Sequence, residues 1–157
     1  MYINECIMYI HVIGTRLKMD SWIVNNEVSI WLFYRISFIC SVVWESSLHL
    51  SLKITSQLLL GPVYFSFIHA KCTEQERTLL WSALLVENPV ESPWMLVGDF
   101  NVIVSTEEKR GCVPFRPEEG VEFRTFMSMA GVFYAGFSGS PFTWCNNRGD
   151  WLEFGNV

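Results

Sequence analysis

The sequence predicts an α/β domain, on three observations. Short apolar runs at Ile30–Phe33, Phe38–Trp44, Val63–Ile68 and Trp94–Val97 have strand length and stand between turn signals. Two segments, opening at Thr73 and at Pro117, combine helix-start chemistry with apolar residues at helical spacing. Half of the 157 residues are hydrophobic, with seven Trp and twelve Phe, so the chain has enough apolar surface for one ordinary core. The order of strands within a sheet does not follow from this pattern.

In chain order, residues 1–19 match no motif. Met1–Ile13 is apolar but lacks a basic n-region and carries Glu5, so a buried strand suits it better than a targeting segment. Asp20–Val28 is a loop or strand edge, with Asn25-Asn26 as a turn signal. Ile30–Trp44 is strongly apolar, yet short for a membrane span and interrupted by Arg35; it reads as buried strands. His49–Ile54 alternates polar and apolar residues, the pattern of a strand with one wet face. Pro62–Ala70 holds the next strand. Thr73 and Glu76 form a capping box, and Leu79, Leu80, Leu84 and Leu85 give the helix a buried face.

Pro89 and Pro93 close the connection to Trp94–Val97. Ser105–Pro117 is a charged loop. Pro117, Glu118 and Glu119 open the second helix, which is lined by Phe123, Phe126, Met127 and Ala130 and ended by Gly131. Gly136–Pro141 is a turn, and Phe142–Trp144 begins a strand. Residues 149–157 form a divergent tail.

Net charge is −5 with a pI near 5.2, which counts against tight DNA binding by these residues alone. No dedicated basic patch stands out. The five Cys, at positions 6, 40, 72, 112 and 145, have no metal-finger spacing, and their scatter fits reduced thiols. No signal peptide or transmembrane segment is expected, which leaves nucleus or cytoplasm. Adjacent acids Glu107 and Glu108 precede Lys109 and Arg110 and read as a solvated charge cluster. His11 and His49 read as structural.

The most informative stretch is Pro93–Ile103. Its apolar strand ends in Gly98, Asp99, Phe100 and Asn101. Gly98 permits a bend or close approach of the backbone. In an extended chain Asp99 and Asn101 share one side. A carboxylate and an amide there can hold a water, a phosphate oxygen or a metal. The bland alternative is a turn that caps a strand.

Several motifs agree in order. They are Trp-Met-Leu-Val-Gly-Asp-Phe-Asn at 94–101, Glu-Glu-Lys-Arg-Gly at 107–111, and Gly-Phe-Ser-Gly-Ser-Pro-Phe-Thr-Trp-Cys-Asn-Asn-Arg at 136–148. Ile30–Phe33 and Phe67–Cys72 add to them. Together they resemble the endonuclease/exonuclease/phosphatase superfamily, and within it the endonuclease domain of plant non-LTR (LINE-type) retrotransposons. The resemblance covers residues 20–148 and implies a four-layer α/β sandwich, two packed mixed sheets flanked by helices, incomplete at both ends.

By that resemblance the activity is Mg²⁺-dependent hydrolysis of a phosphodiester, with DNA as partner. Asp99 matches the residue that orients or deprotonates the attacking water. Asn101 matches one that contacts phosphate and helps place the metal. His69 stands where a phosphate-facing Tyr is usual; Trp144, Asn146 and Arg148 stand on the substrate side, each with a core or loop-end alternative. Counterparts of the metal-binding Glu and the late Ser-Asp-His are missing from these residues, Glu5 lies in no matching context, and Tyr134 replaces an expected Asp. The expectation is a fragment of nuclease lineage, inactive or nearly so; the alternative is a non-catalytic retroelement remnant or a domesticated binding module.

Overall fold

A computed structural model describes residues 19, 21–27, 29–109 and 114–136, together with the backbone of 144–145 and 154–155. The chain divides into two compact units, Met1–Ile68 with Pro89–Val97, and His69–Asn88 with Gly98–Val157. The described residues form a mixed α/β fold: one four-stranded sheet, two two-stranded pairs and two α-helices.

In the first unit, β1 (Ser21–Val24) and β2 (Trp31–Tyr34) make an antiparallel hairpin. Asn25 closes it, as the turn signal predicted. Its buried side chain accepts from the Ser29 and Ile30 N–H groups at 2.9 Å each and donates to the Ser46 carbonyl at 3.0 Å. A buried amide bonded on both sides fixes a loop that plain polarity would leave loose.

The larger sheet has the order β3 (Ile39–Glu45), β4 (His49–Thr55), β5 (Val63–His69), β6 (Trp94–Asp99). The first three strands are antiparallel neighbours. Tyr64 N–H to Pro93 O and Ala70 N–H to Asp99 O share one offset, so β5 and β6 run parallel. A parallel pair needs a long crossover, and the helical segment after β5 supplies it.

Two strand expectations are corrected. β4 has no wet face over its first half: His49, Leu50, Ser51 and Leu52 are all buried. It lies between β3 and β5, and its polar side is satisfied internally, with Ser51 Oγ 2.7 Å from Ser66 Oγ and Trp94 Nε1 donating to Ser66 Oγ at 2.9 Å. β3, by contrast, ends the sheet and leaves Ile39, Val42 and Trp44 exposed, with a register shift between Val42 and Trp44. An apolar cavity of about 460 Å³ in this unit is lined by Leu32, Cys40, Ile54, Phe65, Phe67 and neighbouring residues.

In the second unit, α1 (Glu74–Glu87) begins at Thr73, whose hydroxyl accepts from Glu76 N–H and donates to the Glu76 carboxylate, so the predicted cap forms. Its buried face is Arg77, Leu80, Trp81 and Leu84: of the predicted leucines Leu80 and Leu84 are buried and Leu79 is exposed, while Arg77 and Trp81 were not expected there. Trp81 packs on Phe123 and Phe126 of α2 (Val121–Ala130) and on Phe100, with centroids 5.0, 5.1 and 6.2 Å away. Asn88 Nδ2 donates to Ala130 O at 3.1 Å and ties the helix ends together.

Pro117–Gly120 is a turn, and α2 starts only at Val121, later than expected. Gly120 is left-handed (φ 71°), a conformation that interrupts a helix. A Cβ there would stand 2.7 Å from the Ile103 carbonyl oxygen. Gly131 ends α2 in the same left-handed conformation, as predicted. A short antiparallel pair, β7 (Trp144–Cys145) and β8 (Phe154–Gly155), completes the described residues.

Candidate functional site

The end of β6 and the chain just after β5 meet within the second unit. β6 stops at Asp99 because the next residues leave the extended region: Asn101 has φ 47°, the only described non-glycine residue with positive φ. The expected extended arrangement of Asp99 and Asn101 is therefore not what forms. Instead the Asn101 N–H donates to Asp99 Oδ1 at 2.8 Å. This is an Asx turn, in which a short carboxylate caps the backbone two residues on, and Asn tolerates the left-handed residue. The strand-capping turn and the candidate site are thus the same residues.

Asn101 also reaches across to the β5 exit. Its Nδ2 donates to Ala70 O at 2.7 Å, while the Ala70 N–H donates to Asp99 O at 2.8 Å. The Cys72 thiol lies 3.7 Å from Asn101 Oδ1, a long contact. His69, one residue before Ala70, ends β5 exposed. Three predicted site residues, His69, Asp99 and Asn101, are thus gathered at adjoining strand ends. Among the described residues Asp99 makes no side-chain bond besides that to Asn101 N–H, which leaves Oδ2 available to water or a ligand atom.

Trp144 has its backbone in β7, but its side chain, like Asn146 and Arg148, lies outside the described residues, as do Glu5 and His11. Tyr134 is exposed. Glu107 and Glu108 occupy a 3₁₀ turn, Thr106–Glu108. Glu107 is exposed, and its own backbone N–H, then Ser105, hold its carboxyl below the usual range. Glu108 accepts from Val104 N–H at 2.9 Å, a local structural bond. His49 is buried against the Ser46 hydroxyl, 2.8 Å from Nδ1, so it is structural.

The feature that pattern reading missed is Arg77. Its Nη1 donates to Cys72 O at 2.7 Å and to Asn101 O at 3.0 Å. Its Nε and Nη2 donate to Glu122 Oε1 at 3.0 and 2.7 Å. A signal existed: Arg77 precedes Leu80, Trp81 and Leu84 at helical spacing, and a cation on the apolar face must find partners.

Among the described residues no three His, Cys, Asp or Glu side chains are grouped to hold a metal ion. Asp99 by itself does not make a Mg²⁺ site; one carboxylate serves such an ion only beside phosphate oxygens and water. No helix among the described residues is long and apolar enough to cross a membrane. No protein-family model matches this chain, and no curated protein matches it.

Proposed function

We propose that the chain derives from a metal-dependent phosphodiesterase of the endonuclease/exonuclease/phosphatase superfamily, of the kind that nicks DNA for plant LINE-type retrotransposons. The four-layer sandwich, of which the four-stranded sheet would be one sheet, belongs to the same proposal, as do Mg²⁺ as cofactor and the nucleus or cytoplasm as location. What supports it is one juxtaposition: Asp99 and Asn101 bonded into a single turn against Ala70, with exposed His69 next to it. In this reading Asp99 Oδ2 accepts a proton from, or orients, the attacking water, and His69 faces a phosphate oxygen.

The described residues fall short of a metal site, so no step is assigned to the metal. Within these residues we propose little or no activity, because groups that act as a unit lose most of their effect together. A specific observation favours the non-catalytic alternative: the Asn101 amide is already engaged by Ala70 O. The test is nicking of supercoiled plasmid with Mg²⁺, beside EDTA and Asp99→Ala controls. Folded protein that leaves the plasmid intact supports a silent remnant. Metal-dependent nicking abolished by Asp99→Ala would overturn that silence and establish the nuclease.

A further inference from the structure

We propose that Arg77 is the positioning residue of the Asp99–Asn101 turn. The inference rests on the reading that Asp99 and Asn101 serve the chemistry of this site. Arg77 is 9% exposed and lies on α1, yet it bonds the backbone at both strand exits: Cys72 O after β5 and Asn101 O after β6. One guanidinium nitrogen, Nη1, makes both bonds, and the Nε–Nη2 edge is held by Glu122 of α2. The planar fork therefore cannot rotate toward one carbonyl without leaving the carboxylate.

The consequence runs through Asn101. Asn101, with its left-handed φ of 47°, is held at three points, and Arg77 holds one of them, its carbonyl. The other two are its N–H on Asp99 Oδ1 and its side chain on Ala70 O, and a freed carbonyl lets the residue's backbone torsions relax and loosens both. The orientation of the remaining Asp99 oxygen thus follows from a residue that touches neither Asp99 nor any reacting group. Arg77 acts through Asn101.

The test is amide hydrogen exchange by NMR on the full chain. Arg77→Lys keeps the charge beside Glu122, but an ammonium cannot span two carbonyls and a carboxylate in one plane. The double variant Arg77→Met/Glu122→Leu removes charge and donors together while filling the space, which protects the fold. In both, exchange at Ala70 and Asn101 rises about tenfold or more relative to Leu80 and Phe126 amides of the same protein. A purely structural or purely electrostatic role predicts uniform change, or rescue by Lys. If the Ala70 and Asn101 amides keep their wild-type ratio to Leu80 and Phe126, the inference is overturned. The nicking assay with Asp99→Ala addresses the site reading separately: released amides without nicking uphold the clamp and remove only the chemistry assigned to it.

Discussion

Removing Glu122 measures what it costs to break the buried ion pair and leave Arg77 uncompensated. Both side chains are about one-tenth exposed, and Glu122 is the carboxylate bonded to Arg77, at 2.7 and 3.0 Å. Breaking such a pair typically costs about 3–5 kcal/mol, because an uncompensated charge stays buried. Arg77 keeps two carbonyl acceptors, so the lower end applies to Glu122→Ala. A loss of about 3 kcal/mol is roughly a hundredfold in the folding equilibrium. In urea unfolding followed by Trp fluorescence the midpoint falls by roughly 1–2 M with the slope unchanged. Arg77→Met/Glu122→Leu recovers most of that loss, since apolar replacement of a buried pair is commonly neutral or better. A Glu122→Ala loss below about 0.5 kcal/mol, the scale of an exposed pair, would refute the reasoning. So would a double variant no more stable than the single one.

Two further outcomes are open to simple measurement. Gly120→Ala and Gly131→Ala each force an L side chain into the left-handed region, at about 1–2 kcal/mol, but a Cβ at 120 also meets Ile103 O at 2.7 Å while one at 131 meets open space. Parallel denaturant titrations should show the first variant losing more by about 1 kcal/mol or more; equal losses would contradict the close approach. At Cys40, burial pushes the thiol pKa up, so the folded state favours the neutral thiol and its thiolate forms only at more alkaline pH. Alkylation of Cys40, followed by peptide mass mapping, should lag free cysteine at about pH 8 and approach it as pH rises. A rate equal to that of free cysteine at the lower pH would show that the burial has no effect.

The sequence made the element types legible where local chemistry decides them. Thr73 and Glu76 announced α1, Gly131 announced the end of α2, and Asn25 announced the first hairpin turn. Burial was less legible, because it depends on where a strand falls in the sheet. β3 has the apolar run of an inner strand and lies at the end, while β4 has the alternation of a half-wet strand and lies inside. Serine pairing makes the second possible, and no local pattern reports a cross-strand hydroxyl partner. At the site, the Gly-Asp-Phe-Asn signal located the turn. The extended geometry expected there failed because Asp99 bonds its own chain two residues on. Arg77 was readable only as a misplaced charge; its partner Glu122, forty-five positions away, was not readable at all.

The turn's bonds also determine which substitution separates chemistry from folding. Asn101 gives its N–H to Asp99, its amide to Ala70 and its carbonyl to Arg77, so fold stability accounts for all of them without any substrate. A loss of activity in Asn101→Ala would therefore say little about catalysis. Asp99 is different: one oxygen is needed by the turn and the other is not. Asp99→Ala removes both. Asp99→Asn keeps an oxygen to accept from Asn101 N–H while removing the charge that a water or metal would require. If the site is chemical, Asp99→Asn should retain the fold and the Ala70 and Asn101 protection yet lose whatever nicking the parent chain has. If the residue serves only its turn, Asp99→Asn should resemble the parent in every measurement, and Asp99→Ala alone should be impaired.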